Sequence, residues 1–172
     1  MIIIMAGLPG TGKTTLARAL ADRLSGTVLN KDDIRQVLFS AADIEYSTQQ
    51  DDLCMEIMLQ VTQYILAKDP KRAVFIDGRT FSRRYQVERV NEFASRLQQR
   101  LVILECVCSE QTAKARLGRD LVHPAGNRDY GLYLDVKSRF EEIKMPKTVL
   151  DTDEPLAISV ERAITAIADH KP

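Results

Sequence analysis

The residues best suited to carry chemistry stand near the start of the chain, where Gly7, Gly12, Lys13 and Thr14 form the pattern G-x-x-x-x-G-K-[ST]. The glycines let successive backbone N–H groups point inward and surround an anion. A helix that begins directly after the pattern adds its positive N-terminal end and its free N–H donors. The pattern therefore predicts a P-loop, a loop that holds the phosphates of a nucleotide.

Each position of this loop has an expected part in nucleotide binding. Lys13 is expected to reach the β- and γ-phosphates as a point charge, and the Thr14 hydroxyl is expected to ligate Mg²⁺. The expected cofactors are thus ATP and Mg²⁺. The residues expected to surround the phosphates are Gly7, Leu8, Pro9, Gly10, Thr11, Gly12, Lys13, Thr14 and Thr15.

A second charged group lies in the segment NKDDIR, residues 30–35, where Asp32 and Arg35 form the pattern D-x-x-R. A carboxylate at the carboxyl end of a strand can accept the proton of an acceptor hydroxyl as that hydroxyl attacks the γ-phosphorus. Two residues three apart on a helix point to one side, so Arg35 could hold the acceptor's phosphate or the transferring group. The alternative is a plain helix N-cap at Asp32 and a solvated Arg35.

A third candidate, Asp77, ends the apolar run 73–76. From this position, which is like that of a Walker B aspartate, a carboxylate can hold a Mg²⁺-bound water or orient the acceptor. The alternative is a residue that caps the following loop. Arg79, Arg83 and Arg84 come next and could line an acceptor site, although for Arg83 and Arg84 the default interpretation is a surface arginine.

Strand-like and helical patterns alternate along the chain and must position these residues. Strands are predicted at 2–6, 27–30, 73–77, 101–107 and 148–151. Helices are predicted at 13–24, 34–40, 51–67, 85–99, 109–119, 132–143 and 155–169. This alternation predicts a single α/β domain over residues 1–172, a three-layer fold in which helices flank a five-stranded parallel sheet.

Composition restricts the class of protein. The 172 residues carry 24 basic and 24 acidic side chains, which argues against a strongly basic nucleic-acid binder but leaves a local basic channel open. No run is apolar for long enough to span a bilayer, so no membrane partner is expected. Cys54, Cys106 and Cys108 show no disulfide spacing, which predicts a cytoplasmic, reduced chain. The C-x-C pair could be half of a metal site, but buried apolar packing is favoured.

Several classes of P-loop protein lack support in this chain. A GTPase needs the switch motif D-x-x-G, and no glycine here has an aspartate three residues before it. The N-K-x-D match at residues 30–33 follows the second strand, where guanine-reading loops are not found. A ring-forming motor needs a glutamate after the third-strand aspartate, but Gly78 follows Asp77. A kinase remains as the favoured class.

The segments GLPGTGKTT, residues 7–15, and NKDDIRQ, residues 30–36, together resemble P-loop hydroxyl kinases, the group that includes polynucleotide 5′-kinases and zeta-toxin-like kinases. The resemblance extends over nearly the whole chain in element order. It implies that Asp32 is the general base and that Arg35 contacts the acceptor. Asp33 is the nearest competitor for the part of the base.

The resemblance also implies a lid around residues 116–130, whose arginines close on the phosphates. Arg116 and Arg119, three apart, match those arginines, and Arg128 is a weaker candidate. They would neutralise charge that spreads onto the equatorial oxygens of the transition state. The alternative is that basic residues are favoured in a last helical turn by the helix dipole.

The sequence leaves the acceptor open. A polynucleotide 5′-end and a small metabolite are both compatible with these motifs, and neither a stable protein partner nor an oligomeric state can be read from the chain. A second function class also stays open, a nucleotide-binding regulatory ATPase that has no acceptor.

Overall fold

Five parallel strands form the centre of the computed structural model, which describes residues 1–119 and 129–169. The strands are β1 (Ile2–Ala6), β2 (Thr27–Asn30), β3 (Val74–Asp77), β4 (Leu101–Val107) and β5 (Thr148–Asp151). Their order in the sheet is β2-β3-β1-β4-β5, and all four strand pairs are parallel. All five residues of the central strand β1 are buried, as expected for a strand covered on both faces.

Helices cover both faces of this sheet. They are α1 (Lys13–Leu24), α2 (Lys31–Leu38), α3 (Thr48–Lys68), α4 (Arg84–Arg96), α5 (Glu110–Arg119), α6 (Tyr130–Ser138) and α7 (Leu156–Asp169). Alternate residues of β1 point into two apolar layers, because successive side chains of a strand face opposite sides. Ile2 and Ile4 pack with residues of α3 and α4, whereas Ile3 and Met5 pack with residues of α1 and α7. The three-layer α/β fold predicted from the sequence is therefore confirmed.

Helix α2 begins three residues earlier than its apolar pattern predicts. The side-chain oxygen of Asn30 accepts hydrogen bonds from the backbone N–H groups of Asp32, at 2.9 Å, and Asp33, at 3.3 Å. Asn30 is thus the N-cap of α2, and the helix starts at Lys31. The cap puts Asp32 in the first turn of the helix, directly beyond the carboxyl end of β2.

Helix α6 ends at Ser138 instead of continuing to residue 143. Beyond the helix, the backbone N–H of Glu141 donates to the carbonyl oxygen of Ser82 at 2.9 Å. The Glu141 carboxylate accepts from the backbone N–H of Arg84 at 2.7 Å. These tertiary contacts satisfy the chain outside a helix, and Ile143 is buried in the core nearby. Within the described ranges, no helix is both long and apolar enough to cross a membrane.

Candidate active site

The P-loop joins β1 to α1 in a conformation that requires glycine. Gly7 and Gly12 have φ values of 129° and 77°, in the region that disfavours residues with a side chain. A Cβ atom on Gly7 would lie 2.2 Å from the carbonyl oxygen of Cys106 on β4. Because Gly12 is the N-cap of α1 and supplies no side chain, the first N–H groups of that helix face the loop without a side-chain cap. This is the arrangement that binds phosphate.

Lys13 closes over the loop from the first turn of α1. Its side chain is buried, and its Nζ donates to the carbonyl oxygens of Gly7, at 2.8 Å, and Leu8, at 2.7 Å. The Thr11 hydroxyl also donates to the Leu8 carbonyl at 2.8 Å. The ammonium group is therefore held at the concave side of the loop, where a bound phosphate would meet it.

Two cavities flank the P-loop, and together they account for most of the residues predicted to bind nucleotide. The first, termed the main cleft, has a volume of about 910 Å³. The P-loop and α1 contribute Pro9, Gly12, Lys13, Thr14, Thr15 and Arg18 to its wall. The second, termed the side cavity, has a volume of about 470 Å³ and borders Gly10, Gly12 and Thr15. Leu8 packs instead against α5 and α6.

The structure brings Asp32 and Arg35 together in the wall of the main cleft. The Arg35 guanidinium donates to Asp32 Oδ1 at 2.6 Å, and it also donates to Asp51 on α3. The Nζ of Lys31 lies 3.3 Å from Asp32 and 2.8 Å from Asp51. Asp32 is not the N-cap of its helix, because Asn30 fills that place. The contacts with Arg35 and Lys31 therefore fix the orientation of the Asp32 carboxylate in the cleft wall.

Sequence reasoning does not single out Lys31 and Asp51. They complete a four-charge network with Asp32 and Arg35, in which two buried cations are shared by two carboxylates. Asp51 lies in the first turn of α3, sixteen positions from Arg35 along the chain, so helical spacing carries no signal for this contact. The Arg35 guanidinium also lies over the Tyr46 ring, 5.1 Å from its centroid.

Asp77 ends β3 opposite Asn30 and is fully buried. Its Oδ2 accepts a hydrogen bond from Asn30 Nδ2 at 2.7 Å, but its Oδ1 has no hydrogen-bond partner among the described residues. A buried carboxylate oxygen left unpaired is costly and points to an ion or a water. Together with the Thr14 hydroxyl, this oxygen fits Mg²⁺, which binds one or two protein oxygens and the phosphates of a substrate.

The three arginines after β3 have different surroundings. Arg79 is buried, ion-paired with Asp52 at 2.6 Å, and donates to the Tyr85 hydroxyl at 3.2 Å. Arg83 is half-buried at the main cleft. Arg84 is exposed and is not part of the cleft wall. Only the first two therefore stay candidates for an acceptor contact.

Arg116 reaches the far side of the P-loop from the last turn of α5. Its guanidinium donates to the carbonyl oxygen of Thr152 at 2.7 Å, to the Thr152 hydroxyl at 2.9 Å and to the Gly10 carbonyl at 3.4 Å. Arg116 and Arg119 both line the side cavity. The predicted lid residues 120–128, Arg128 among them, lie outside the described residues, so the lid itself stays a prediction.

The two cysteines of the C-x-C pair differ in burial. Cys106 is fully buried at the end of β4, and burial raises the pKa of its thiol to about 12. Cys108 lies just beyond the strand and is half-buried. Among the described residues there is no group of three or more His, Cys, Asp or Glu side chains that could hold a metal ion. Apolar packing therefore accounts for Cys106.

Comparison with known proteins gives the family. A family model described as an AAA domain matches residues 2–120. The chain belongs to this AAA domain family. It is also similar to the cytidylate kinase of Acinetobacter baylyi, with 28% identity over 102 residues. That match covers 56% of this chain and 44% of the kinase, so the chain matches less than half of that relative's length.

Solved structures show how widely this fold is shared. The APS kinase CysC of Mycobacterium tuberculosis, in complex with AMPPNP and APS, superposes with a TM-score of 0.73 at 17% identity, over 98% of this chain and 97% of that one. A gluconokinase from Sinorhizobium meliloti superposes with a TM-score of 0.68 at 17% identity, over 97% and 90%. The fold is thus that of P-loop kinases. The narrower resemblance to polynucleotide and zeta-toxin-like kinases stays a prediction.

Proposed function

We propose that this chain is an ATP-dependent kinase that transfers the γ-phosphate to an acceptor hydroxyl. The observation that carries the proposal is that Asp32 and the P-loop line the same cleft of about 910 Å³. A protein that only binds a nucleotide needs the P-loop but has no use for a base. A transferase also needs a carboxylate oriented beside the loop, because it must deprotonate an acceptor. The similarity to a cytidylate kinase and to two solved kinases supports this function class.

Asp32 is proposed to be the general base. Its carboxylate takes the proton of the acceptor hydroxyl as the new O–P bond forms and the bond from the γ-phosphorus to the β–γ bridging oxygen breaks. Arg35 and Lys31 hold this carboxylate in place, and Asp51 balances their charge. A base fixed in this way loses little orientational freedom when the acceptor binds.

We propose that the negative charge of the phosphates is neutralised by groups of the P-loop and of the neighbouring helices. Lys13 and the N–H groups at the start of α1 stabilise the β- and γ-phosphates, and Arg116 and Arg119 approach from α5. Thr14 and Asp77 are the residues that would hold Mg²⁺. When bound with ATP, that ion would neutralise the charge developing between the β- and γ-phosphates.

The side cavity is proposed to take the nucleoside of ATP. It is walled by Arg116, Thr152 and the start of α7, and it shares Gly12 and Thr15 with the main cleft. With the nucleoside there and the triphosphate along the P-loop, the γ-phosphate would point into the main cleft. The acceptor, either a polynucleotide 5′-end or a small metabolite, would then enter from the Asp32 side.

Transfer of labelled γ-phosphate from ATP tests this function. The acceptor panel comprises 5′-hydroxyl RNA and DNA oligonucleotides, nucleosides, sugars, amino sugars and adenylylsulfate. We expect label on an acceptor, and we expect Lys13→Ala to abolish it. Release of free phosphate alone, unchanged by every compound of the panel, would contradict the proposal and favour a regulatory ATPase.

A further inference from the structure

We propose that the acceptor is a small anion that carries the reacting hydroxyl. Its carboxylate, sulfate or phosphate group is bound by Arg79, Arg83 and Arg139, which we term the arginine wall. This inference rests on the proposed function and narrows it, because it separates the small-metabolite acceptor from the polynucleotide end. Four observations support it. They are the excess of cations that line the cleft, the incomplete hydrogen bonding of Arg79, the position of the loop after β3, and the contacts that Glu141 makes with this loop.

The main cleft is cationic although the chain as a whole is neutral. Seven lysine or arginine side chains line it, against four aspartate or glutamate side chains. The formal net charge of the full chain is zero. Lys13 is assigned to the phosphates of the nucleotide, and Lys31 and Arg35 belong to the network around Asp32. The guanidinium groups of the arginine wall are each paired with one carboxylate, Asp52, Glu141 and Asp135 in turn. A guanidinium has five N–H donors, so each keeps donors beyond its pair, and the excess of cations in the lining favours an acceptor that brings its own negative charge.

Arg79 is a buried guanidinium whose hydrogen bonds are incomplete. Its side chain is only 5% exposed, and it pairs with Asp52 and Tyr85. Its Nε has no hydrogen-bond partner among the described residues, although it is buried. An unpaired buried donor is costly in a folded protein. The Nε itself is enclosed, so a ligand oxyanion in the cleft would be bound by the terminal N–H groups that Asp52 and Tyr85 leave over, since arginine recognises carboxylates and phosphates through paired N–H groups.

The loop after β3 contains two residues of the arginine wall, Arg79 and Arg83, and it begins beside the proposed general base. At its start, Gly78 has a φ of 84°, and a Cβ atom there would lie 2.7 Å from the backbone nitrogen of Lys31. The loop therefore begins against the first turn of α2, beside Asp32, and runs to Arg83. Asp32, Arg79 and Arg83 all line the main cleft, so one acceptor in it meets both the proposed base and these arginines.

Contacts between residues 82–84 and Glu141 close the wall. Glu141 accepts hydrogen bonds from the Arg83 guanidinium, at 3.2 Å, and from the Arg84 backbone N–H, at 2.7 Å. The Arg84 N–H first, and Arg83 next, hold the pKa of the Glu141 carboxyl below its usual range. Since Arg139 and Glu141 both line the cleft, the segment that follows α6 and the loop after β3 form one continuous boundary. A bounded cleft of this volume suits a small molecule.

Matched acceptor pairs test the inference. The pairs are gluconate and glucose, glycerate and glycerol, adenylylsulfate and adenosine, and adenosine 3′-phosphate and adenosine, with a 5′-hydroxyl oligonucleotide as a further acceptor. Labelled transfer from ATP is measured for each compound. Thermal stabilisation by each compound, in the presence of AMPPNP, gives a second readout that needs no turnover. The anionic members distinguish carboxylate, sulfate and phosphate.

We expect an anionic member to be bound and phosphorylated in preference to its neutral partner. Arg83→Gln should raise the KM for that anion about ten- to a hundredfold, the usual effect of losing one charge-assisted hydrogen bond, with a much smaller change in kcat. Arg84→Gln is the matched control and should leave KM unchanged. Arg79→Gln should raise KM in the same way. Because Arg79 is buried, its substitution can also destabilise the fold, so Arg83→Gln is the deciding variant.

Three results would overturn the inference. Preference for the neutral members or the oligonucleotide would remove the anionic acceptor while leaving the proposed kinase function standing. Failure of all anionic members to bind or to be phosphorylated would also remove the anionic acceptor, and the kinase function would stand if another compound of the panel is phosphorylated. An equal KM in Arg83→Gln and Arg84→Gln would show that the arginine wall does not hold the anion.

Discussion

Asp32 is part of a charge network and does not act as an isolated carboxylate. Buried cations are stable only when they are paired, and Lys31 and Arg35 each have two carboxylates available, Asp32 and Asp51. The network keeps the base in one orientation while Asp51 takes part of the positive charge. This explains why the side chain of Arg35 can be only 1% exposed in the wall of a polar cleft.

At the same scale, the buried thiol of Cys106 predicts a pH dependence of stability. Burial raises its pKa from 9.0 to about 12, so the folded thiol stays neutral where the unfolded thiol ionises. The free energy of unfolding should therefore fall by about 1.4 kcal/mol for each pH unit between about 9 and 12, and this term should vanish below about pH 9.

Denaturant unfolding of the wild type and of Cys106→Ala, from about pH 8 to about pH 11, isolates this term. The substitution costs packing energy at every pH, but it removes the thiol that titrates. The stability difference between the two proteins should shrink as the pH rises above about 9. A difference that stays constant over the whole range would show that Cys106 ionises normally in the folded protein.

At the scale of elements, the start of α2 is where the fold and the site depend on the same residue. Asn30 caps the helix that carries Asp32, and its amide donates to Asp77 on β3. A single side chain thus fixes the distance between the proposed base and the proposed Mg²⁺ carboxylate. The parallel register, which sets Asn30 opposite Asp77, makes this contact possible.

Asn30→Ala should therefore reduce both stability and activity. Loss of the cap costs about 1 kcal/mol, and the loss of a hydrogen bond to the buried Asp77 carboxylate costs a further 1–3 kcal/mol or so. Ser47→Ala is the matched control, because Ser47 caps α3 by accepting from the Gln50 N–H at 3.1 Å. It should cost about 1 kcal/mol and leave transfer nearly unchanged. Equal losses of activity in the two variants would contradict the role given to Asn30.

At the scale of the whole molecule, nucleotide binding should stabilise the fold. The P-loop lies between the central strand and α1, and it contacts β4 through Gly7 and α5 through Gly10. AMPPNP at a hundred times its Kd should raise the free energy of unfolding by about 2.7 kcal/mol. At that same AMPPNP concentration, Lys13→Ala should lose most of this gain. An unchanged Tm of the wild type with AMPPNP and Mg²⁺ would contradict nucleotide binding at this loop.

The sequence predicts the parts of this molecule that local patterns encode. The five strands follow from apolar runs such as Ile2–Ala6, and the P-loop follows from its glycines and Lys13. Asp51 and Glu141 could not be found in this way, because their partners lie on other elements and no spacing links them. The same cause explains the end of α6, where tertiary hydrogen bonds replace helical ones. Local chemistry is thus readable from the chain, whereas the partners that orient it depend on the fold.

The central claim is that Asp32 deprotonates the acceptor hydroxyl during transfer. The most direct test compares the rate of phosphoryl transfer in Asp32→Asn and Asp33→Asn, using the acceptor that the panel identifies, with AMPPNP affinity measured alongside. We predict that Asp32→Asn lowers the transfer rate by about 10²–10⁴ while retaining nucleotide affinity, and that Asp33→Asn stays close to the wild type. Transfer that persists in Asp32→Asn, or that is lost in Asp33→Asn instead, would contradict the account.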